Sequence, residues 1–235
     1  MIRKVFLSML MLFLAWSKLY AQTQHQNTGW FFFLNNTRFN KHWGLQFDMQ
    51  LRSADGWDYM RNTLVRPGLT YFINDKHNIT LGYLWQTTQN RVDGLDHFTL
   101  NEHRIFEQYI FTHKINSVFA SHRFRVEQRF IGRTGEDVFS QRFRYFFRFI
   151  QPLQKAQTGF SKGPFVALQN EVFLNIQNNR LINNSFFDQN RLYLAAGYRF
   201  SKAVDIEAGY MNQASHGAQF NTINNIIQLA LYTRF

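Results

Sequence analysis

The chain contains no cysteine, and only three of its 235 residues are proline. Without cysteine there is no disulfide, no thiolate ligand for a metal and no lipid-modified cysteine anchor. After the first twenty or so residues, no apolar run approaches the roughly 20 residues that a membrane-spanning helix needs. These absences exclude a disulfide-stabilised scaffold, a lipoprotein and a helical membrane protein.

The first residues have the three-part layout of a secretory signal peptide. Two basic residues precede an apolar run, Val5–Trp16, and a short segment of polar and small residues then ends at Ala21. The run has about twelve residues, which suits a signal peptide better than the alternative, a membrane anchor of roughly 20. We therefore predict a cleaved signal peptide at residues 1–21. No linker or composition shift divides residues 22–235, which are interpreted as one domain.

The composition is strongly basic. Lys and Arg number 26 against 15 Asp and Glu, which gives a formal net charge of +11 at pH 7. A basic excess indicates nucleic acid, anionic lipid or a charge requirement inside the protein. Export by a signal peptide argues against nucleic acid as a partner, and lipid or an internal role for the arginines remains.

Strict alternation dominates the mature chain. Trp43–Arg52 places large apolar residues on one face and polar residues with one glycine on the other, and residues 77–86, 203–212 and 224–235 repeat the pattern. A period of two is that of a β-strand whose faces meet different surroundings. No convincing amphipathic helix interrupts these segments, so the chain is predicted to be all-β.

The expected fold is a single antiparallel up-and-down transmembrane β-barrel of about 10–12 strands. Tight turns such as "NDKH" alternate with longer loops such as "GRTGEDV", as in outer-membrane barrels. Bacterial barrels usually have an even strand number, so we expect either a twelfth strand hidden in residues 22–29 or a total of ten. The eleven candidate strands are residues 30–39, 43–52, 61–73, 77–87, 102–114, 117–131, 139–152, 164–175, 187–200, 203–213 and 222–235.

Charge density separates the inside of this barrel from its outside. In "RFRVEQRF" and "QRFRYFFRF" arginines alternate with aromatic residues. Aromatic rings suit a lipid-facing band, whereas a small barrel fills its lumen with paired charges. The alternative is a soluble secreted barrel or sandwich whose charged face meets water. The predicted lipid-facing residues include Leu45, Phe47, Leu81, Tyr145, Leu229 and Leu231. The predicted lumen-facing residues are Arg123, Arg125, Glu127, Arg129, Arg142, Arg144, Arg148, Glu171 and Arg191.

The last stretch, "NNIIQLALYTRF", alternates up to Phe235. In lipid every backbone amide needs a partner, so a membrane barrel closes by pairing its last strand with its first. A final strand that ends in Phe also resembles the signal read by the outer-membrane assembly machinery. We therefore expect Phe235 to act as an assembly signal. The expected partners are the barrel assembly machinery and lipid of the cell outer membrane.

A set of motifs resembles one bacterial family. In order they are "LVRPGLTYFIN", "LGYLWQT", "EHRIFEQ", "RFRVEQRFI", "RFRYFFRFIQPL", "NEVFLN", "FDQNRLYLAAGYRF" and "IEAGYMNQ". Together they resemble the family called domain of unknown function 2490, across nearly all of the mature chain. The resemblance implies an outer-membrane barrel of a kind found mainly in Bacteroidetes. It brings no established activity, so no catalytic residue follows from it.

Catalytic, cofactor and metal sites find no support in the sequence. "ASH" occurs twice, but Ser121 and His122 are neighbours in a predicted strand and point to opposite faces. Ser215 and His216 lie in a predicted outer loop, and the alternative of an outer-membrane lipid-active hydrolase would depend on such a pair. The histidines lack ligand spacing, cysteine is absent, and "GRTGED" lacks the Lys and Ser/Thr of a P-loop. We expect no enzyme, no metal and no cofactor.

Three roles without catalysis stay open. A lumen sealed by paired arginines and carboxylates makes a structural or binding barrel. A narrow watery path with excess inward arginine makes a pore that prefers anions. The aromatic residues Trp57, Tyr59 and Phe98 of the long loops offer a surface for assembly or binding. The number of carboxylates in register with the arginines distinguishes the first role from the second.

Overall fold

The computed structural model describes residues 23–91, 97–154 and 160–235, so the predicted signal peptide lies outside the described residues. The described residues form one closed barrel of eleven strands, which confirms the all-β fold. Nowhere in these ranges is a helix long and apolar enough to cross a membrane. The strands are β1 (Thr23–Arg38), β2 (Trp43–Ser53), β3 (Met60–Phe72), β4 (His77–Asn90), β5 (Phe98–Ile115), β6 (Val118–Ile131), β7 (Val138–Pro152), β8 (Gly163–Gln177), β9 (Phe187–Ser201), β10 (Val204–Ser215) and β11 (Asn221–Arg234), and two short 3-10 helices lie at Asp55–Trp57 and Asn179–Leu181.

The barrel closes through one parallel pair of strands. Consecutive strands are antiparallel, whereas β1 and β11 run in the same direction, from Thr23 beside Asn221 to Asn36 beside Arg234. An up-and-down barrel with an odd number of strands must have such a seam. The expectation of an even number, twelve or ten, is therefore wrong.

Residues 23–29 extend β1 and do not form a twelfth strand. The "NTG" sequence at 27–29 has the composition of a turn, but neighbouring groups hold it extended. The amide of Asn27 donates to Asp55 Oδ1 at 2.7 Å, and the amide of Gly29 donates to Ser53 Oγ at 2.9 Å. Tertiary contacts thus override a local turn signal.

The two ends of the barrel differ. We call the end that carries the connections after odd-numbered strands the turn end, and the opposite end the loop end. The predicted alternation of short and long connections is confirmed, with one exception at the turn end. There the connection 153–162 is long, and its Phe160 is buried against Phe165 and Phe119. The connections are 39–42, 73–76, 116–117, 153–162 and 202–203 at the turn end, and 54–59, 91–97, 132–137, 178–186 and 216–220 at the loop end.

The alternation of side chains gives the barrel an apolar outside and a filled inside. Leu81 is 59% exposed and Leu229 is 50% exposed, whereas Leu84, Phe106 and Ile226 on the inner face are each 0% exposed. A side chain without accessible surface has no water-sized space beside it. The inner side chains therefore pack against one another at mid-height instead of lining an open channel.

Two glycines make room for rings inside the barrel. Gly82 is paired across the β4–β5 ladder with Phe106, and Gly197 is paired across the β8–β9 ladder with Phe165. A Cβ on either glycine would collide with the paired ring. Each ring covers a glycine on its neighbouring strand, which is how a small barrel accommodates large aromatic groups in its lumen.

Candidate functional site

The inner face carries a network of arginines and carboxylates. The structure places the predicted lumen-facing residues of β6, β7, β8 and β9 on this face, because each strand alternates in register with its neighbours. Their side chains are largely out of solvent, and Arg125 and Glu127 are each only 1% exposed. A buried charge of this kind is tolerated only when it is paired or hydrogen-bonded.

Glu127 is the hub of this network. Its Oε2 accepts hydrogen bonds from Arg142, at 3.1 Å from Nε and 2.7 Å from Nη2, and its Oε1 accepts one from Arg144. Arg104 Nη1 lies 3.7 Å from Oε2 and Arg125 Nη1 lies 3.6 Å from Oε1. One carboxylate thus holds four guanidinium groups from three strands.

Other carboxylates bridge further arginines. Hydrogen bonds between a guanidinium and a carboxylate are charge-assisted and belong to the strong class, and a guanidinium can make two of them in one plane. The remaining ion pairs at mid-height and towards the loop end join Arg123 to Glu171 at 2.7 Å, Arg144 to Glu171 at 2.6 Å, Arg129 to Glu102 at 2.6 Å, Arg104 to Glu102 at 2.7 Å, Arg142 to Asp188 at 2.8 Å and Arg66 to Asp48 at 3.2 Å.

The turn end has its own closure. Arg148 pairs with Glu207, which also accepts a hydrogen bond from Tyr232 Oη at 2.8 Å. Nearby, Arg199 forms two hydrogen bonds to Asp205, at 2.7 and 2.8 Å. Arg199 also donates to the carbonyl of Phe160 and stacks on its ring. Phe160 is thereby fixed against the inner face at this end.

The loop end opens into a polar cavity of about 260 Å³, which we call the arginine basin. Seven guanidinium groups line it, and only two carboxylates, Glu102 and Asp188, do so. The basin combines four arginines of the predicted set with Arg52, Arg66 and Arg104, which that set did not include. The lining arginines are Arg52, Arg66, Arg104, Arg129, Arg142, Arg144 and Arg191.

Arg52 and Arg191 differ from the other arginines of the basin. Within the described residues neither has a carboxylate partner; Arg52 donates to Gln50 Oε1, and Arg191 donates to Gln189 Oε1 at 3.3 Å. Both guanidinium groups lie against the ring of Trp30, at 3.9 and 5.1 Å from its centroid. The Nε of Arg191 is buried without a hydrogen-bond partner. The basin therefore holds two guanidinium groups that have no described carboxylate within 4 Å, although Arg191 lies across the β8–β9 ladder from Glu171.

The outer face is apolar with a few polar pairs. Ring stacking and hydrogen bonds join histidine to tyrosine across strands, as in His122 Nδ1 with Tyr145 Oη at 2.9 Å. Glu107, near the middle of β5, is the one carboxylate or guanidinium on this face away from the strand ends, within the part of the chain that the structure describes. Gln128 donates to it at 3.1 Å.

The serine–histidine pairs do not assemble a recognisable triad. Ser121 lies on the inner face and His122 on the outer face. Ser215 lines the basin, where its Oγ accepts a hydrogen bond from Gln213 at 3.0 Å, and the backbone amide of His216 donates to the carbonyl of Asp188. Across the described ranges, no group of three His, Asp or Glu is placed to hold a metal ion.

The remaining predicted residues lie at the surface. Trp57 is 56% exposed in the loop between β2 and β3, and one edge of its ring covers Gly29. Phe235 is 69% exposed, and its backbone continues the seam: its amide donates to Asn36 at 2.9 Å, and its carbonyl accepts from Arg38 at 2.6 Å. The side chain of Phe235 thus lies exposed at the end of the seam.

Comparison with known proteins identifies the family of this chain. Neither the curated proteins nor the solved structures contain a match to the chain. The model of the family described as "Protein of unknown function (DUF2490)" matches residues 27–224, from β1 into β11. The match covers most of the chain and confirms the resemblance carried by the sequence motifs. The chain therefore belongs to the DUF2490 family.

Proposed function

We propose that the protein is an integral outer-membrane β-barrel with a sealed lumen, which binds a ligand in the arginine basin and does not conduct. One observation carries this proposal: the polarity of the barrel is inverted, with leucines and aromatic rings outside and ion pairs inside. A soluble protein rarely exposes apolar area on all sides, since such a surface associates in water. A lipid bilayer is the solvent that this surface fits.

The dimensions of the strands agree with a membrane span. A tilted strand needs roughly 9–11 residues to cross the hydrocarbon core, and the strands here have between 11 and 18 residues. The predicted signal peptide supplies a route to the outer membrane. The final strand and Phe235 are proposed to be the part that the barrel assembly machinery reads.

A location experiment tests the first half of the proposal. We expect the protein to fractionate with outer membranes and to migrate faster in detergent gels before boiling than after it, because closed barrels resist unfolding by detergent. Recovery as a soluble periplasmic monomer would contradict membrane insertion. It would favour the alternative of a soluble secreted binding barrel.

A conductance experiment tests the second half. The packed mid-section and the closure at the turn end leave the described side chains without an open path, so protein reconstituted in planar bilayers is expected to give no steady single-channel current. A known general porin, reconstituted in parallel, is the positive control. A reproducible anion-selective current would overturn the sealed lumen and support the narrow-pore alternative.

A further inference from the structure

We infer that the arginine basin is a binding site for a small dianion of the phosphate class, held between Arg52 and Arg191. The inference deepens the proposed binding role and rests on it. The basin is lined by seven arginines, it lies at one end of the lumen, and it retains charge that the surrounding carboxylates do not balance.

The charge balance favours a ligand with more than one negative charge. Seven arginines line the basin, and five carboxylates form ion pairs with them. Two of these carboxylates, Glu127 and Glu171, also pair with Arg125 and Arg123, so positive charge exceeds negative charge in the network. The two basin arginines without a described carboxylate within 4 Å are Arg52 and Arg191. A dianion neutralises both, whereas a halide neutralises one. The five carboxylates are Asp48, Glu102, Glu127, Glu171 and Asp188.

The hydrogen-bond geometry favours an oxyanion. Arg52 uses Nε and Nη2 on Gln50, which leaves Nη1 free, and Arg191 uses only Nη2, on Gln189. The remaining N–H groups are fixed forks that match two oxygens of one oxyanion. Trp30 supports both guanidinium groups, so they are positioned before a ligand arrives. This preorganisation lowers the entropy cost of binding.

One unpaired acceptor in the basin, the side-chain oxygen of Gln213, distinguishes among oxyanions. Gln213 lines the basin beside Arg191 in the β9–β10 ladder, and its Nε2 donates to Ser215. Its Oε1 is buried without a partner. Hydrogen phosphate carries an O–H that can donate to this oxygen, and sulfate at neutral pH carries none. The unpaired acceptor therefore selects phosphate or a group that keeps a hydroxyl beside its negative charge.

Access is from the loop end. Ile182, in the connection 178–186, and Ser215, at the end of β10, lie at the rim of the cavity. A free phosphate, a soluble phosphate monoester and the phosphate of a lipid headgroup share the oxyanion that this rim would admit, but only free hydrogen phosphate combines two negative charges with a P–O–H group. They differ in the size of the group attached to the phosphate, and the experiment below uses this difference to separate the three sources.

The test is isothermal titration calorimetry on the folded full-length protein in a non-ionic detergent. Inorganic phosphate is titrated first, then sulfate and chloride, then glycerol 3-phosphate and a short-chain phosphatidic acid. We expect phosphate to bind with one-site stoichiometry, sulfate to bind at least tenfold more weakly, and chloride to compete only at far higher concentration. Saturation by glycerol 3-phosphate or phosphatidic acid then identifies the source.

Matched variants test the residues. Arg52→Gln and Arg191→Gln are each expected to weaken phosphate binding at least tenfold, and Arg191→Lys should restore part of the affinity. Neither Gln variant leaves a described carboxylate unpaired, so both should keep the gel mobility of the closed barrel. Arg38→Gln removes one positive charge at the turn end, far from the basin, and should bind phosphate as the wild type does.

Three results would overturn the inference. They are absence of phosphate binding to the folded protein, equal affinity for phosphate and chloride, and unchanged affinity in both Gln variants. If either Gln variant fails to fold, the wild-type protein is heated with and without phosphate, and the loss of the fast-migrating band of the folded barrel is measured instead. If phosphate does not protect this band, the inference is overturned. A protein that resides in the outer membrane and does not conduct, but fails these tests, retains the sealed barrel and loses only the phosphate site.

Discussion

Replacing Glu127 with Gln is expected to lower the free energy of unfolding by about 3–5 kcal/mol, the usual cost of removing one partner from a buried ion pair. The amide keeps the shape of the carboxylate but not its charge. Arg142 and Arg144 would lose their shared anionic acceptor and one of its two oxygens, and both are nearly inaccessible to solvent. Urea unfolding in detergent, followed by tryptophan fluorescence, measures the change.

Glu107→Gln is the matched control, since it makes the same chemical change on the outer face. Glu107 is exposed and bonds only to Gln128 among the described residues, so its replacement should change the unfolding free energy by less than about 1 kcal/mol. If the two variants are equally stable, the hub at Glu127 does not stabilise the barrel. The lumen network would then have to be explained by binding alone.

Leu229→Arg is expected to destabilise the barrel in lipid bilayers by about 2–4 kcal/mol, the cost of an arginine on the lipid-facing side near the midplane. Leu229 lies near the middle of β11, on the outer face, and is 50% exposed. Urea titration of the protein refolded into phospholipid vesicles gives the difference from the wild type.

The control is an arginine placed on the same face but nearer the end of the strand, because the free-energy cost depends on depth in the bilayer. Ile223 is on the same face of the same strand, close to the loop end, and Ile223→Arg should cost about 0–1 kcal/mol because the membrane interface tolerates the charge. On a water-exposed surface both substitutions would stay within about 0.5 kcal/mol of the wild type. Two small and equal effects would therefore contradict the membrane assignment.

The sequence was sufficient to predict the strands and their two faces. Alternation in a segment such as Trp43–Arg52 reports directly which side chains share a face, because the period of two is a property of the backbone. Predicted lipid-facing residues such as Leu81 and Leu229 are exposed on the outside. These features depend on local geometry, and the sequence encodes local geometry well.

The seam and the ion pairs could not be predicted in the same way. The strand count depended on residues 23–29, whose extended form is stabilised by contacts with Ser53 and Asp55. Arg148 reaches Glu207 from β7 to β10, across strands that are not neighbours. Such contacts depend on the curvature of the closed barrel, and alternation carries no information about it.

The arginine basin shows the same division. An excess of inward arginine is a matter of composition, and the sequence showed it. Which two arginines lack a carboxylate is decided by register and side-chain packing, and Arg52 and Arg104 fell outside the predicted set. The alternation in "EHRIFEQ" places Glu102 and Arg104 on one face, so it held the signal that would have included Arg104.

The parallel seam also places the two ends of the barrel domain at opposite rims, which limits circular permutation. In a barrel with an even number of strands, the start of the first strand and the end of the last strand lie at the same rim. A short turn can join them in a circular permutant whose new termini are placed in another connection. Here β1 starts at the loop end and β11 finishes at the turn end. A linker between them would have to cross the full height of the wall, about 40 Å along a strand at roughly 3.3 Å per residue. A short linker therefore cannot produce a circular permutant of this barrel, and segments fused before β1 and after β11 would emerge at opposite ends of it.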